Sequence, residues 1–139
     1  MYKSHVLVCG GTGCTSNGSA KIREELARQL KANHLEEDVQ IVETGCFGLC
    51  AVGPVVIVYP EAAFYSGVHE DDVTDIVQEH LINGRLVTRL LHTERAGEPP
   101  VKALTDTEFY RRQTRVALRN CGVIDPENID EYIARDGYA

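Results

Sequence analysis

Two short loops, each carrying a pair of cysteines, constrain the fold of this chain more than any other feature. Cys9 and Cys14 form a C-x4-C pair in a glycine-rich loop, and Cys46 and Cys50 form a C-x3-C pair in a second loop. Each loop follows an apolar run typical of a β-strand. If a helix connects the two strands, the strands are parallel and both loops lie at the same edge of the sheet.

The residues between the loops favour this β-α-β arrangement. Residues 5–9, "HVLVC", and 39–44, "VQIVET", are predicted to be strands. A helix is predicted between them, capped by Ser16 or Asn17 and reaching about Asn33. Its apolar residues recur every four positions: Ile22, Leu26 and Leu30. The two strands should therefore be parallel, with a right-handed crossover.

Two more strands and a second helix follow the second cysteine loop. Residues 54–59, "PVVIVY", predict a buried strand, and "AAFYSGV" predicts its antiparallel partner after a tight turn. Asp71 and Asp72 begin the helix, and Gly84 ends it. Its apolar face consists of Val73, Ile76, Val77 and Leu81. The order β-α-β-β-β-α predicts an α/β, thioredoxin-like domain with a mixed sheet, over residues 1–92.

The composition changes after His92. Residues 93–104 contain two prolines and little periodicity, which predicts a linker. Residues 105–139 predict a short helical tail, with one helix over 105–120 and a second beginning at Asp125 and Pro126. Within the first of these helices, Tyr110, Arg111 and Arg112 are expected on a solvated face.

Charge and cysteine content exclude several classes of function. The chain has 139 residues and a formal net charge of -7, which opposes binding to nucleic acid or to an anionic membrane surface. The five cysteines are an odd number, and no secretory signal is evident, so a cytoplasmic protein with metal-binding or redox cysteines is expected. Cys121 lies far from both loops and is expected to be an idle or buried thiol.

The spacing of the loop cysteines favours a [2Fe-2S] cluster. Zinc sites usually contain C-x2-C knuckles, and the wider spacings here suit a cluster with two cysteines on each iron. A zinc-stabilised structural adaptor with the same fold remains an alternative. The glycine loop matches neither a dinucleotide fingerprint nor a P-loop, and no nucleophile–base pair marks a catalytic site.

The segments "VLVCGGTGC" and "VETGCFGLCAVGPVVIVYPE" resemble the thioredoxin-like [2Fe-2S] ferredoxin module. The combination with "FYRRQTRVALRNCGVIDPENIDEYIARDGY" is similar to the start of the NAD(P)H-binding flavoprotein subunit of electron-bifurcating and NAD(P)-reducing hydrogenases. That subunit is related to the flavin subunit of respiratory complex I. Similar modules occur in NAD-dependent formate dehydrogenases.

The resemblance implies that Cys9, Cys14, Cys46 and Cys50 ligate the cluster, and that residues 105–139 open a truncated flavin domain. The FMN- and NAD(P)-binding motifs of the longer parent subunit would lie after Ala139, so this chain alone is not expected to be an enzyme. It is expected to be a one-electron carrier that exchanges electrons with the flavin. Its partners would be other subunits of an NAD(P)-linked hydrogenase or formate dehydrogenase, and a homodimer stays open.

Overall fold

The computed structural model describes residues 2–120, 123–125 and 127–138. A four-stranded mixed sheet forms its centre, in the order β2-β1-β3-β4. The strands are β1 Ser4–Cys9, β2 Val39–Thr44, β3 Val56–Tyr59 and β4 Ala63–Tyr65. β1 pairs with β2 in parallel, whereas β1 with β3 and β3 with β4 are antiparallel. The predicted thioredoxin-like, mixed α/β sheet is confirmed.

In the described part of the chain, five α-helical segments connect or follow these strands. They are α1 Thr12–Ser16, α2 Ser19–Ala32, α3 Val73–Asp75, α4 Glu108–Arg111 and α5 Ile129–Ile133. A 3-10 turn, Glu70–Asp72, leads into α3, which continues as a π-helix over Ile76–Ile82. Further 3-10 turns lie at Cys50–Val52, Thr88–Leu90 and Leu104–Asp106.

One face of the sheet packs against α2 and the helical segment that contains α3. Side chains alternate across a strand, so Val6 and Val8 of β1 both lie on this face. They belong to a buried apolar cluster with the predicted helical residues, among them Leu26 and Ile76. The four-residue spacing of the apolar positions in α2 therefore explains which side of the helix is buried.

The opposite face of the sheet carries a second apolar cluster, which contains two of the loop cysteines. Leu7 and Cys9 alternate with the residues of the first face and pack here. Cys14, Phe47 and Leu104 belong to the same buried cluster. The cysteine loops and the segment after His92 thus help to cover this face.

The segment after His92 returns to the sheet. Val101 N–H donates to the carbonyl of His92 at 2.7 Å, and Phe64 N–H of β4 donates to Lys102 at 2.8 Å. Ala103 forms an isolated antiparallel bridge with Ala63. Residues 101–104, which composition alone predicts as the end of a linker, therefore extend the pairing at the β4 edge.

Three local predictions were wrong. The N-cap of α2 is Gly18, at φ 94° and without a side-chain hydrogen bond, because the additional helix α1 ends at Ser16. The tail is α-helical over Glu108–Arg111 rather than over 105–120. The apolar side chains that follow, such as Leu118, are exposed, so no buried apolar face stabilises a longer helix. The last helix is capped by Asn128, not Asp125, and Pro126 lies outside the described residues.

Candidate metal centre

The parallel strands β1 and β2 bring both cysteine loops to one edge of the sheet. Cys9, the last residue of β1, is the register partner of Thr44, the last residue of β2. Gly10 N–H donates to the Thr44 carbonyl at 2.9 Å, which holds the two loops together where they begin. The predicted convergence of the loops follows from this register.

The four loop cysteines form two pairs that differ in exposure. Cys9 and Cys14 are buried, with 2% and 1% of their surface exposed, whereas Cys46 and Cys50 are exposed. The Sγ atoms of Cys46 and Cys50 are 3.6 Å apart. None of the four is in a disulfide. Cys121 lies outside the described residues.

Glycines let the backbone of the first loop approach the cysteines of the second. A Cβ atom on Gly11 would lie 2.9 Å from the Cβ of Cys46, and one on Gly13 would lie 3.2 Å from the Cβ of Cys50. A Cβ on Gly53 would lie 2.6 Å from Cys14 Sγ. The loops therefore form a cradle around the thiols that larger residues would fill.

Burial and mutual proximity raise the pKa of two thiols. Burial raises the pKa of Cys14 to about 11, and its hydrogen bond with Cys9 acts in the same direction. The hydrogen bond with Cys46 is the main cause that raises the pKa of Cys50. Thiols must lose their protons to act as metal ligands, so these two sulfurs would do so only beside a positive charge such as that of a metal ion.

Backbone donors also reach the sulfurs. Gly48 N–H donates to Cys46 Sγ at 3.2 Å, and a backbone hydrogen bond from Val55 lowers the pKa of Cys14 against the effect of burial. Such N–H donors are one means by which iron–sulfur proteins set reduction potential. Among the described residues, no group of three or more His, Cys, Asp or Glu side chains is placed so that it could hold a metal ion as it stands. The paired thiols, the glycine cradle and the N–H donors fit a binuclear iron–sulfur group.

One residue near the centre was placed wrongly from the sequence. Tyr110 is half-buried, and its hydroxyl donates to the carbonyl of Phe47, which lies between the two exposed cysteines. Arg111 and Arg112 are exposed, as expected. The local sequence does not distinguish Tyr110 from Phe109, the aromatic residue directly before it, which is exposed.

This fold and its cysteine loops define a class of protein: an α/β domain with thiols placed where an iron–sulfur cluster would bind. The thioredoxin-like [2Fe-2S] ferredoxin family model matches residues 1–81, and the chain belongs to that family. It is therefore a [2Fe-2S] electron carrier, and the ferredoxins it resembles carry electrons rather than act as enzymes.

Curated relatives and solved structures agree with this assignment. The chain is 41% identical over 98 residues to a 2Fe-2S ferredoxin of Clostridium pasteurianum, covering 63% of this chain and 94% of that protein. The thioredoxin-like [2Fe-2S] ferredoxin of Aquifex aeolicus superposes with a TM-score of 0.61 at 33% identity, covering 72% of this chain and 97% of the other.

A shorter match connects the chain to a hydrogenase. It is 61% identical over 36 residues to the NADP-reducing hydrogenase subunit HndC of Solidesulfovibrio fructosivorans. This match covers 26% of this chain and 7% of that subunit. Within the described part of the chain, no helix combines the length and apolar character needed to cross a membrane.

Proposed function

We propose that Cys9, Cys14, Cys46 and Cys50 ligate the [2Fe-2S] cluster, two on each iron, and that the chain relays single electrons within an NAD(P)-linked hydrogenase. The observation that carries the ligand assignment is the convergence of two cysteine pairs at the β1–β2 edge, in a cradle that side chains larger than glycine would fill. A bound [2Fe-2S] cluster accepts and returns one electron at a time.

The protein residues bind this group, orient it and control its contact with water. Cys9 and Cys14 lie in the apolar cluster beneath the sheet, so they would anchor the buried side of the group. Cys46 and Cys50 are exposed and would leave the opposite side open to an electron-transfer partner. The net charge of -7 favours a partner with a basic docking face.

Serine substitution at each loop cysteine tests the ligand set. Each Cys→Ser variant should alter the visible and electron paramagnetic resonance (EPR) spectra or lower the iron content from about two per chain. Cys121→Ser is the matched control, because it removes the fifth cysteine without changing either loop pair. Unchanged spectra in all four loop variants would contradict the assignment. A colourless wild-type protein with one bound zinc would favour the structural adaptor.

The match with the hydrogenase subunit supports the proposed parent complex. The test uses the tagged chain, purified anaerobically with its native partners. Hydrogen gas should bleach the oxidised cluster in this assembly, and formate should not. Bleaching by formate alone would instead assign the chain to a formate dehydrogenase. If neither reductant acts while the isolated chain still takes up electrons from dithionite, the hydrogenase proposal is wrong and the electron carrier stands.

A further inference from the structure

The peptide group between Phe47 and Gly48 has a hydrogen bond on each of its two sides. Its N–H donates to Cys46 Sγ at 3.2 Å, and its C=O accepts from the hydroxyl of Tyr110. Because a peptide unit is planar, its C=O and N–H are held rigidly with respect to each other. Fixing the carbonyl therefore also fixes the direction of the N–H that reaches the sulfur.

The two hydrogen bonds also reinforce each other electronically. A hydrogen bond accepted by the carbonyl polarises the amide and makes its N–H a stronger donor. A donor to a cysteine sulfur stabilises the negative charge that a cluster gains on reduction, which raises the reduction potential. We infer that Tyr110 is a positioning residue that raises the potential of the cluster through the Phe47–Gly48 peptide and Cys46. This inference rests on the proposed ligation by Cys46.

Tyr110 is held in place by the segment that returns to the sheet. Thr107, which is buried, accepts from Tyr110 N–H at 3.4 Å and donates its hydroxyl proton to the Leu104 carbonyl at 2.8 Å. Leu104 packs in the second apolar cluster. The guanidinium carbon of Arg115 lies 5.5 Å from the centre of the Tyr110 ring. These contacts hold the backbone of Tyr110, the turn that precedes it and one face of its ring.

The loop that Tyr110 contacts is open to solvent on one side. Cys46 and Gly48 are exposed, and Gly48 has φ 81°. A Cβ atom on Gly48 would meet no atom within 4 Å, so packing holds this peptide only on its Phe47 side, where the ring is buried. Tyr110 also lies outside residues 1–81, the part that the family model matches. The segment after the matched domain thus supplies a hydroxyl that contacts the second cysteine loop.

Tyr110→Phe in the full, cluster-loaded chain tests the relay. The substitution removes the hydroxyl and keeps the ring, so the contact with Arg115 is retained. Tyr138→Phe is the matched control, because it makes the same chemical change in a tail side chain that is 83% exposed. The midpoint potential, measured by EPR-monitored redox titration, should become more negative in Tyr110→Phe, with altered g values. Tyr138→Phe should match the wild type.

A second pair of variants tests the support of Tyr110 without changing the tyrosine. Thr107→Ala removes the hydroxyl at the start of α4 and should shift the potential in the same direction as Tyr110→Phe. Thr107→Ser keeps the hydroxyl and should restore most of the wild-type potential. If Tyr110→Phe failed to retain its cluster, these two variants would test the inference. A more negative potential in Thr107→Ala but not in Thr107→Ser would support it, and unchanged potentials in both would refute it.

An unchanged or a more positive potential in Tyr110→Phe would overturn the inference. Cys46→Ser, measured in parallel, separates this failure from failure of the ligand assignment. If Cys46→Ser alters the spectrum while Tyr110→Phe leaves the potential unchanged, the ligand stands and the relay is wrong. If Cys46→Ser leaves the spectrum unchanged, the proposed ligand set itself fails.

Discussion

Leu104 allows a quantitative test of whether the segment after His92 is part of the folded domain. Its side chain is 8% exposed and packs with Phe47 and Phe64 in the second apolar cluster. Leu→Ala substitutions in cores cost about 2–5 kcal/mol, and the cost is lowest where neighbouring atoms can fill the space. Because Leu104 lies at the margin of its cluster, Leu104→Ala should cost about 2–3 kcal/mol. At about 4 °C per kcal/mol for a chain of this length, Tm should fall by about 10 °C.

The assay is thermal unfolding followed by far-UV circular dichroism, at one scan rate and with equal iron content in every sample. Leu118→Ala is the matched control, because Leu118 belongs to the same tail and is 62% exposed. An exposed substitution of this kind should change stability by less than about 0.5 kcal/mol, or about 2 °C in Tm. Equal Tm values for the two variants would refute the reasoning that residues 101–107 pack on the sheet.

Three further predictions concern groups inside the domain. Burial lowers the pKa of His80, against the opposing effect of Glu61, so the unfolded chain takes up a proton more readily than the folded chain. The contribution of His80 to stability should therefore be complete above pH about 6.5 and fall as the pH decreases. Unfolding midpoints that do not change between pH 7 and 5 would contradict this. Gly53→Ala places a Cβ 2.6 Å from Cys14 Sγ and should lower the iron content per chain, so a normal content would argue against the cradle. Gly48→Ala forces alanine into φ 81° and should lower the free energy of unfolding by about 1–2 kcal/mol. An unchanged unfolding temperature would mean that the loop can adopt another backbone conformation.

The strands and the buried sides of the helices could be predicted because they depend on local periodicity. The predicted bounds of β2 agree with the structure, and the stripe that contains Leu26 is buried. The cap of α2 could not be predicted in the same way. Ser16 has the right chemistry for an N-cap, but the short helix α1 uses it as its last residue, and the turn at Gly18 decides where α2 begins. Capping preference is worth about 1 kcal/mol, which the packing of a loop readily exceeds.

The convergence of the four cysteines depends on the order of neighbouring elements in the sequence. The position of Tyr110 depends instead on long-range packing. The cysteine pairs follow two strands of one β-α-β unit, so the topology of that unit brings them together whatever the rest of the chain does. The contact of Tyr110 with Phe47 joins residues 63 positions apart and depends on how the short helix α4 packs against the second cysteine loop. Residue type can suggest metal ligands because the chemistry of a thiol is specific, whereas a side chain proposed to act through a backbone carbonyl needs only a hydroxyl in the right place. Such positioning residues become visible only once the long-range packing of the chain is known.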